Sequence, residues 1–120
     1  GITACPPSAE IHKSALGAEN TMEWTYFENT LDAVRSLQEK GYAVLAVEQA
    51  EGAVNLAAFC PAGHQKTALV FGNEVRGVRQ EVVDACDGCL EIPQHGTKHS
   101  LNVSVAIGVV LWHYYLTIRV

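Results

Sequence analysis

Two short apolar runs, Tyr42–Val47 and Thr67–Phe71, constrain the fold more than any other feature of this chain. Neither alternates apolar with polar residues, as a strand with one wet face would, so each predicts a strand covered on both faces. The segments between them carry helical signals. Asn29 or Thr30 is placed to cap a helix in which Leu31, Val34, Leu37 and the stem of Lys40 recur at helical spacing, with Asp32 in the first turn. That helix is expected to run to about Glu39, with Gly41 as its stop. Val78–Cys86 forms a second helical pattern with Glu81 in its first turn, Cys89–Ile92 reads as a third short strand closed by Pro93, and a last helix is expected to begin near Ser100. Further upstream, Met22–Phe27 alternates large apolar and polar residues and predicts a short strand. The order strand, helix, strand, loop, strand, helix, strand, helix belongs to an α/β domain with a mainly parallel sheet flanked by helices. Ligands in such sheets bind beyond the carboxyl ends of the strands, here Glu48-Gln49, Gly72-Asn73-Glu74 and Pro93-Gln94-His95-Gly96.

Composition narrows the function classes. With 120 residues, 48% of them hydrophobic and 18% charged, the chain holds one core, residues 1–120 forming a single domain, and is neither disordered nor a two-domain enzyme. Eight Lys and Arg against 13 Asp and Glu leave a net charge of −5, so any nucleic acid must be held by a local patch rather than by the overall field. The chain begins at Gly1 with no initiator Met and no basic segment leading into an apolar run, so no signal peptide is expected. Leu101–Ile118 runs for 18 residues without Lys, Arg, Asp or Glu, but Asn102, Ser104, His113 and Thr117 interrupt it and Gly108 splits it. A helix packed in a core or a dimer interface fits it better than a membrane span, with His113 as a packing or interface residue.

Four cysteines are too few and too scattered for a disulfide scaffold, which points to a reducing cytosol. Only Cys86-Asp87-Gly88-Cys89 is closely spaced. No second pair or His tract completes a zinc site, so the pair reads as two small thiols around a turn, and no metal is expected. A redox role would need a depressed thiol pKa at an exposed helix N-terminus, whereas Cys86 falls toward a helix C-terminus.

Leu69–Val78 places Gly72, Asn73, Glu74 and Gly77 directly after a buried strand. The glycines allow close approach or positive φ, and the polar pair can bond a ligand or hold the turn. The segment has neither the dinucleotide-binding glycine fingerprint nor the Lys-Ser/Thr ending of a phosphate loop. Taken with Glu91–Ala106, which contains Pro93-Gln94-His95-Gly96 and Ser100-Leu101-Asn102-Val103-Ser104, it closely resembles the SpoU/TrmH family of RNA ribose 2′-O-methyltransferases, in the SPOUT superfamily. Ala9–Ala18 also looks like that family's connecting region, so the resemblance covers essentially the whole chain.

The resemblance implies an α/β fold ending in a deep trefoil knot, a homodimer, and S-adenosylmethionine as cofactor held in the knot. It implies transfer of a methyl group to a ribose 2′-hydroxyl in tRNA or rRNA. Glu74, Ser100 and Asn102 become the active-site polar residues, and Gly72, Asn73, Gly77, Ile92, Pro93, Gly96 and Leu101 the cofactor-binding set. Glu48, at a strand end, is a further cofactor candidate, with a solvated strand-end residue as its alternative. Members of the family carry an earlier segment with Asn, Gly and a catalytic Arg; none of Arg35, Arg76, Arg79 and Arg119 has that context. The expectation is therefore an N-terminally truncated domain that, as given, binds cofactor weakly and methylates poorly. A non-enzymatic knotted module for RNA binding or dimerisation is the competing reading. His12, Lys13, Arg76, Arg79, Lys98 and His99 are expected to gather near the strand-end edge, with Lys13, Arg76, Arg79 and Lys98 as the RNA contacts.

Overall fold

The computed structural model describes residue 1 and residues 3–61, 65–95 and 101–118. The elements are helix α1 (Ala9–Ala15), helix α2 (Thr30–Glu39), strands β1 (Ala43–Val47), β2 (Val54–Asn55) and β3 (Thr67–Phe71), helix α3 (Gln80–Ala85), strand β4 (Gly88–Glu91) and helix α4 (Val103–Ile118), with 3₁₀ turns at Ala18–Asn20 and Leu56–Ala58. The four strands form one sheet in the order β2-β4-β1-β3, and every pairing is parallel.

The unalternating apolar runs behave as expected of strands buried from both sides. Along β1, Val44 and Ala46 are fully buried on one face. Val44 packs with Val34 of α2 and Val82 of α3, and Ala68 and Val70 of β3 join the same cluster. The intervening residues Leu45 and Val47, with Leu69 and Phe71 of β3, turn to a second cluster built on Leu56, Leu90 and Val110 of α4. A side-chain period of two thus feeds two cores from one strand.

Helix α2 starts and stops on the expected residues. The Asn29 side chain accepts from Leu31 N at 2.9 Å, and Gly41 adopts φ 89° just past the end. At the other end of the sheet, Asp87 bonds β1 twice: its Oδ2 accepts from Val44 N at 2.8 Å, and its own N donates to Val44 O at 2.8 Å. Gln38 of α2 donates to Ala85 O at 2.8 Å, tying the two helices on that face.

Three expectations are corrected. Met22–Phe27 is not a strand: it forms no ladder with any described strand, and Trp24, Tyr26 and Phe27 are exposed. Alternation alone does not make a strand where no neighbour supplies hydrogen bonds. α3 is shorter than Val78–Cys86 because Arg79 holds extended backbone, φ −60° and ψ 143°, and so stands as the N-cap before Gln80. α4 begins at Val103, with Asn102 as its cap, rather than near Ser100, which lies outside the described residues. The sequence reading also missed α1, capped by Ser8 Oγ, and β2, whose two exposed residues are too short to carry a pattern.

Leu90 is 1% exposed, and its backbone carbonyl also accepts from Glu48 N at 3.0 Å. Leu90→Ala is expected to lower unfolding stability by about 2–5 kcal/mol, read from denaturant midpoints, because the rigid sheet around it cannot collapse into the space left.

Candidate functional site

The carboxyl ends of β1, β3 and β4 open onto a pocket of about 380 Å³. Its walls come from Val47, Glu48 and Gln49 after β1, from Phe71–Val78 after β3, from Ile92 and Gln94 after β4, and from Leu101, Val103 and Ala106 at the start of α4. It therefore lies where parallel sheets of this kind bind ligands.

The loop after β3 is folded onto itself. The Asn73 side-chain oxygen accepts from Val75 N at 2.9 Å and Arg76 N at 2.6 Å, while Gly77 N donates to Asn73 O at 2.9 Å. A Cβ at Gly72 would overlap the Gly77 carbonyl and the Val78 nitrogen, and Gly77 itself sits at φ 65°. Both glycines thus let the backbone close on itself, and the Asn73 side-chain oxygen is turned into the loop.

Glu48 holds that loop from the β1 side. One carboxylate oxygen accepts from Val78 N at 2.8 Å, the other from Gln49 N at 3.0 Å, and a Cβ on Gly77 would strike the first. Its backbone is equally committed, since Glu48 N donates to Leu90 O and Cys89 Sγ donates to Glu48 O at 3.3 Å. Neither a free solvated residue nor an open acceptor, Glu48 lines the pocket as the clamp between three strand ends.

Glu74 reaches the other way. Its Oε1 accepts from Val103 N at 3.2 Å, an orphan donor in the first turn of α4, so the loop and the last helix are joined through one carboxylate. Asn102 caps the same helix, its Oδ1 accepting from Ser104 N at 2.9 Å and Ser104 Oγ at 2.6 Å.

The structure brings Glu48, Gly72, Asn73, Glu74, Gly77, Ile92 and Leu101 together around one pocket, with Arg76 on its wall. Asn102 and Pro93 adjoin lining residues without lining it themselves, and Gly96, Lys98, His99 and Ser100 lie outside the described residues. Of the expected basic cluster, Arg76 lines the pocket, and Lys98 and His99 lie outside the described residues. Arg79 caps α3 through its backbone and pairs with Glu81 at 3.8 Å on the surface. His12 and Lys13 sit on α1, which packs against the Ala18–Asn20 turn, and His12 lines a separate groove. Gln49, Gln80 and Gln94 also line the pocket; the sequence marks Gln49 and Gln94 as strand-end positions without giving them a role, and nothing in it singles out Gln80.

His113 bonds Phe59 O at 3.0 Å, a packing role. The Cys86 thiol is pushed above its ordinary value of 9.0 by burial first and by the Asp87 charge second. Cys89 is also raised, mainly by burial, against a lowering bond to the Glu48 carbonyl. Both shifts run opposite to what a reactive redox pair requires. Among the described residues no group of three or more His, Cys, Asp or Glu is placed to hold a metal, and no helix is long and apolar enough to cross a membrane.

The profile of the SpoU rRNA Methylase family matches residues 2–112, and the chain belongs to that family. Among its relatives, a tRNA (guanosine(18)-2′-O)-methyltransferase of Aquifex aeolicus is 35% identical over 78% of this chain and 45% of its own length. A 23S rRNA (guanosine-2′-O-)-methyltransferase of Ralstonia nicotianae is 36% identical over 85% of this chain and 40% of its own. The AdoMet-bound rRNA methyltransferase of Sinorhizobium meliloti superposes with a TM-score of 0.85 at 26% identity, covering 97% of this chain and 43% of that one. The chain spans about half the length, or less, of these relatives.

Two outcomes test this geometry. Glu48→Ala is expected to cost about 1–3 kcal/mol and to raise amide exchange selectively across residues 72–78, because it strips the Val78 amide of its acceptor. At pH 8, Cys86 and Cys89 should alkylate more slowly than exposed Cys60, as mass spectrometry of the labelled peptides would read. Since the raised thiols keep protons in the folded state that the unfolded chain has released, their contribution to stability should fall as pH rises past the unfolded value of 9.0.

Proposed function

We propose that this chain is a SPOUT methyltransferase domain, residues 1–120, which transfers a methyl group from S-adenosylmethionine to a ribose 2′-hydroxyl of tRNA or rRNA. The observation that carries this reading is the pocket that joins three parallel strand ends to the first turn of α4. Its residues fit the cofactor's chemistry. Phe71, Ile92 and Leu101 offer apolar walls for a flat heterocycle, and the carboxylates of Glu48 and Glu74 favour a cation. When bound, S-adenosylmethionine supplies a methyl group carried on a positively charged sulfur.

The chain's own work is alignment and proton removal, because an in-line displacement needs its three reacting centres in a row. The loop clamped by Glu48 and the helix end capped by Asn102 give rigid walls on opposite sides. Glu48 already spends both oxygens on backbone amides, whereas Glu74 uses Oε1 for Val103 N and its Oε2 has no partner among the described residues. Glu74 is therefore the carboxylate we assign to hold the ribose hydroxyl and take its proton, with Ser100 and Asn102 beside it. Gly72, Asn73, Gly77, Ile92, Pro93, Gly96 and Leu101 form or shape the cofactor pocket, and Lys13, Arg76, Arg79 and Lys98 contact RNA phosphates.

The same reading includes the C-terminal trefoil knot and a homodimer. α4 supports the dimer: Val105, Val109, Trp112 and Leu116 form an exposed apolar stripe at helical spacing, and only Val110 of the helix is buried. Free thiols at all four cysteines suit a reducing cytosol.

Calorimetric titration with S-adenosylmethionine, paired with transfer of a labelled methyl group to tRNA and rRNA, tests the proposal. Saturable binding is expected, abolished by Ala106→Trp, which fills the pocket. Glu74→Gln should lower transfer by roughly 10²–10⁴-fold. RNA binding without cofactor binding or methyl transfer would identify the non-catalytic module instead.

A further inference from the structure

Val75 is the most exposed large apolar side chain among the described residues, 92% open to solvent, and it stands on the rim of the strand-end pocket. A valine so placed gains nothing from the fold, yet the loop holds it firmly. Asn73 and Gly77 pair as an isolated antiparallel bridge, which leaves Glu74, Val75 and Arg76 as the tip between them. The Asn73 side-chain oxygen accepts from Val75 N at 2.9 Å and Arg76 N at 2.6 Å, so the backbone of the tip is fixed while the Val75 side chain stays outside the loop. Its two neighbours are polar and available. Glu74 spends only Oε1, on Val103 N, and the exposed Arg76 guanidinium has no ion-pair partner among the described residues.

Consecutive Cα atoms stand about 3.8 Å apart, so carboxylate, apolar group and cation all meet a ligand within the span of one or two nucleotides. A ribose whose 2′-hydroxyl lies on Glu74 carries its 3′-phosphate on the adjacent carbon, within reach of a side chain as long as that of Arg76. Between these polar contacts the RNA offers Val75 carbon-rich surface, the sugar edge and base of the nucleotide that follows. We infer that Val75 is a positioning residue for the RNA: it rests against the base on the 3′ side of the methylated nucleotide and so holds the target ribose over the pocket. Covering an otherwise solvated valine favours the contact, and a tip already fixed loses little freedom in making it. Unstacked bases of single-stranded RNA are held on side chains in this way. The inference rests on the methyltransferase reading above and adds to it a contact that acts on rate, since phosphate contacts supply most of the affinity.

Steady-state methyl transfer to unfractionated tRNA and rRNA, with the methylated nucleotide then mapped by mass spectrometry, gives the substrate for the test. Val75→Ala is expected to lower kcat about tenfold while KM for RNA changes by less than about twofold, and Val75→Ile, which keeps the branched apolar surface, to retain the rate. Arg76→Ala should instead raise KM and reduce the salt dependence of RNA binding by about one charge. Cofactor affinity by calorimetry and Tm should match the wild type in both Val75 variants. A transcript lacking the base 3′ of the methylated nucleotide should show the same loss, and combining it with Val75→Ala should add nothing further. Unchanged kcat in Val75→Ala, an equal loss in Val75→Ile, additive losses with the abasic transcript, or altered cofactor affinity overturns the positioning role. Where the wild type still transfers methyl groups, the methyltransferase reading stands without it. No transfer by the wild-type chain overturns both.

Discussion

The seat of the Glu48 carboxylate over Gly77 organises the functional half of this molecule. Glu48 leaves β1, bonds β4 through its backbone and holds the β3–α3 loop through its side chain, so one residue sets the relative positions of three strand ends. The contact requires glycine at its far side, because a Cβ at residue 77 would occupy the space of the carboxylate. It also requires glycine at residue 72, where the loop recrosses its own start. Charge, backbone donors and the absence of two side chains act as one unit.

A second carboxylate extends this arrangement to the last helix. Through Glu74 the same loop accepts an orphan amide of α4, and Asn102 satisfies another, so the helix N-terminus is fastened at the pocket rim. Farther along, α4 buries Val110 against Leu56 and Leu90 and leaves much of its apolar surface uncovered. One helix therefore serves the core at one residue, the pocket at its start and an outward apolar stripe along its length.

Much of the scaffold was legible because burial on both faces leaves a pattern that few other structures produce. The runs at residues 42–47 and 67–71 and the short stretch 89–92 became β1, β3 and β4 within a residue or so of the expected bounds, and Asn29 and Gly41 bracketed α2. The candidate site was legible through the Gly72–Gly77 and Leu101–Asn102 motifs. The role of Glu48 was not, since a bond from a strand-end carboxylate to an amide 30 residues away has no periodicity. Met22–Phe27 misled for the reverse reason: its alternation is local, while a strand exists only where another strand pairs with it.

The sequence by itself determined the class of the molecule: a parallel α/β sheet with short polar segments at its strand ends, and family membership through paired motifs. Those follow from nearest-neighbour chemistry, the two-residue and 3.6-residue periods, caps and glycine positions. Only the tertiary structure decided that Gly72 and Gly77 serve loop closure, that Glu48 is a clamp and that Glu74 joins the loop to α4. Each of these depends on which backbone amide or side chain arrives opposite a given residue, and that is settled when the sheet and helices pack.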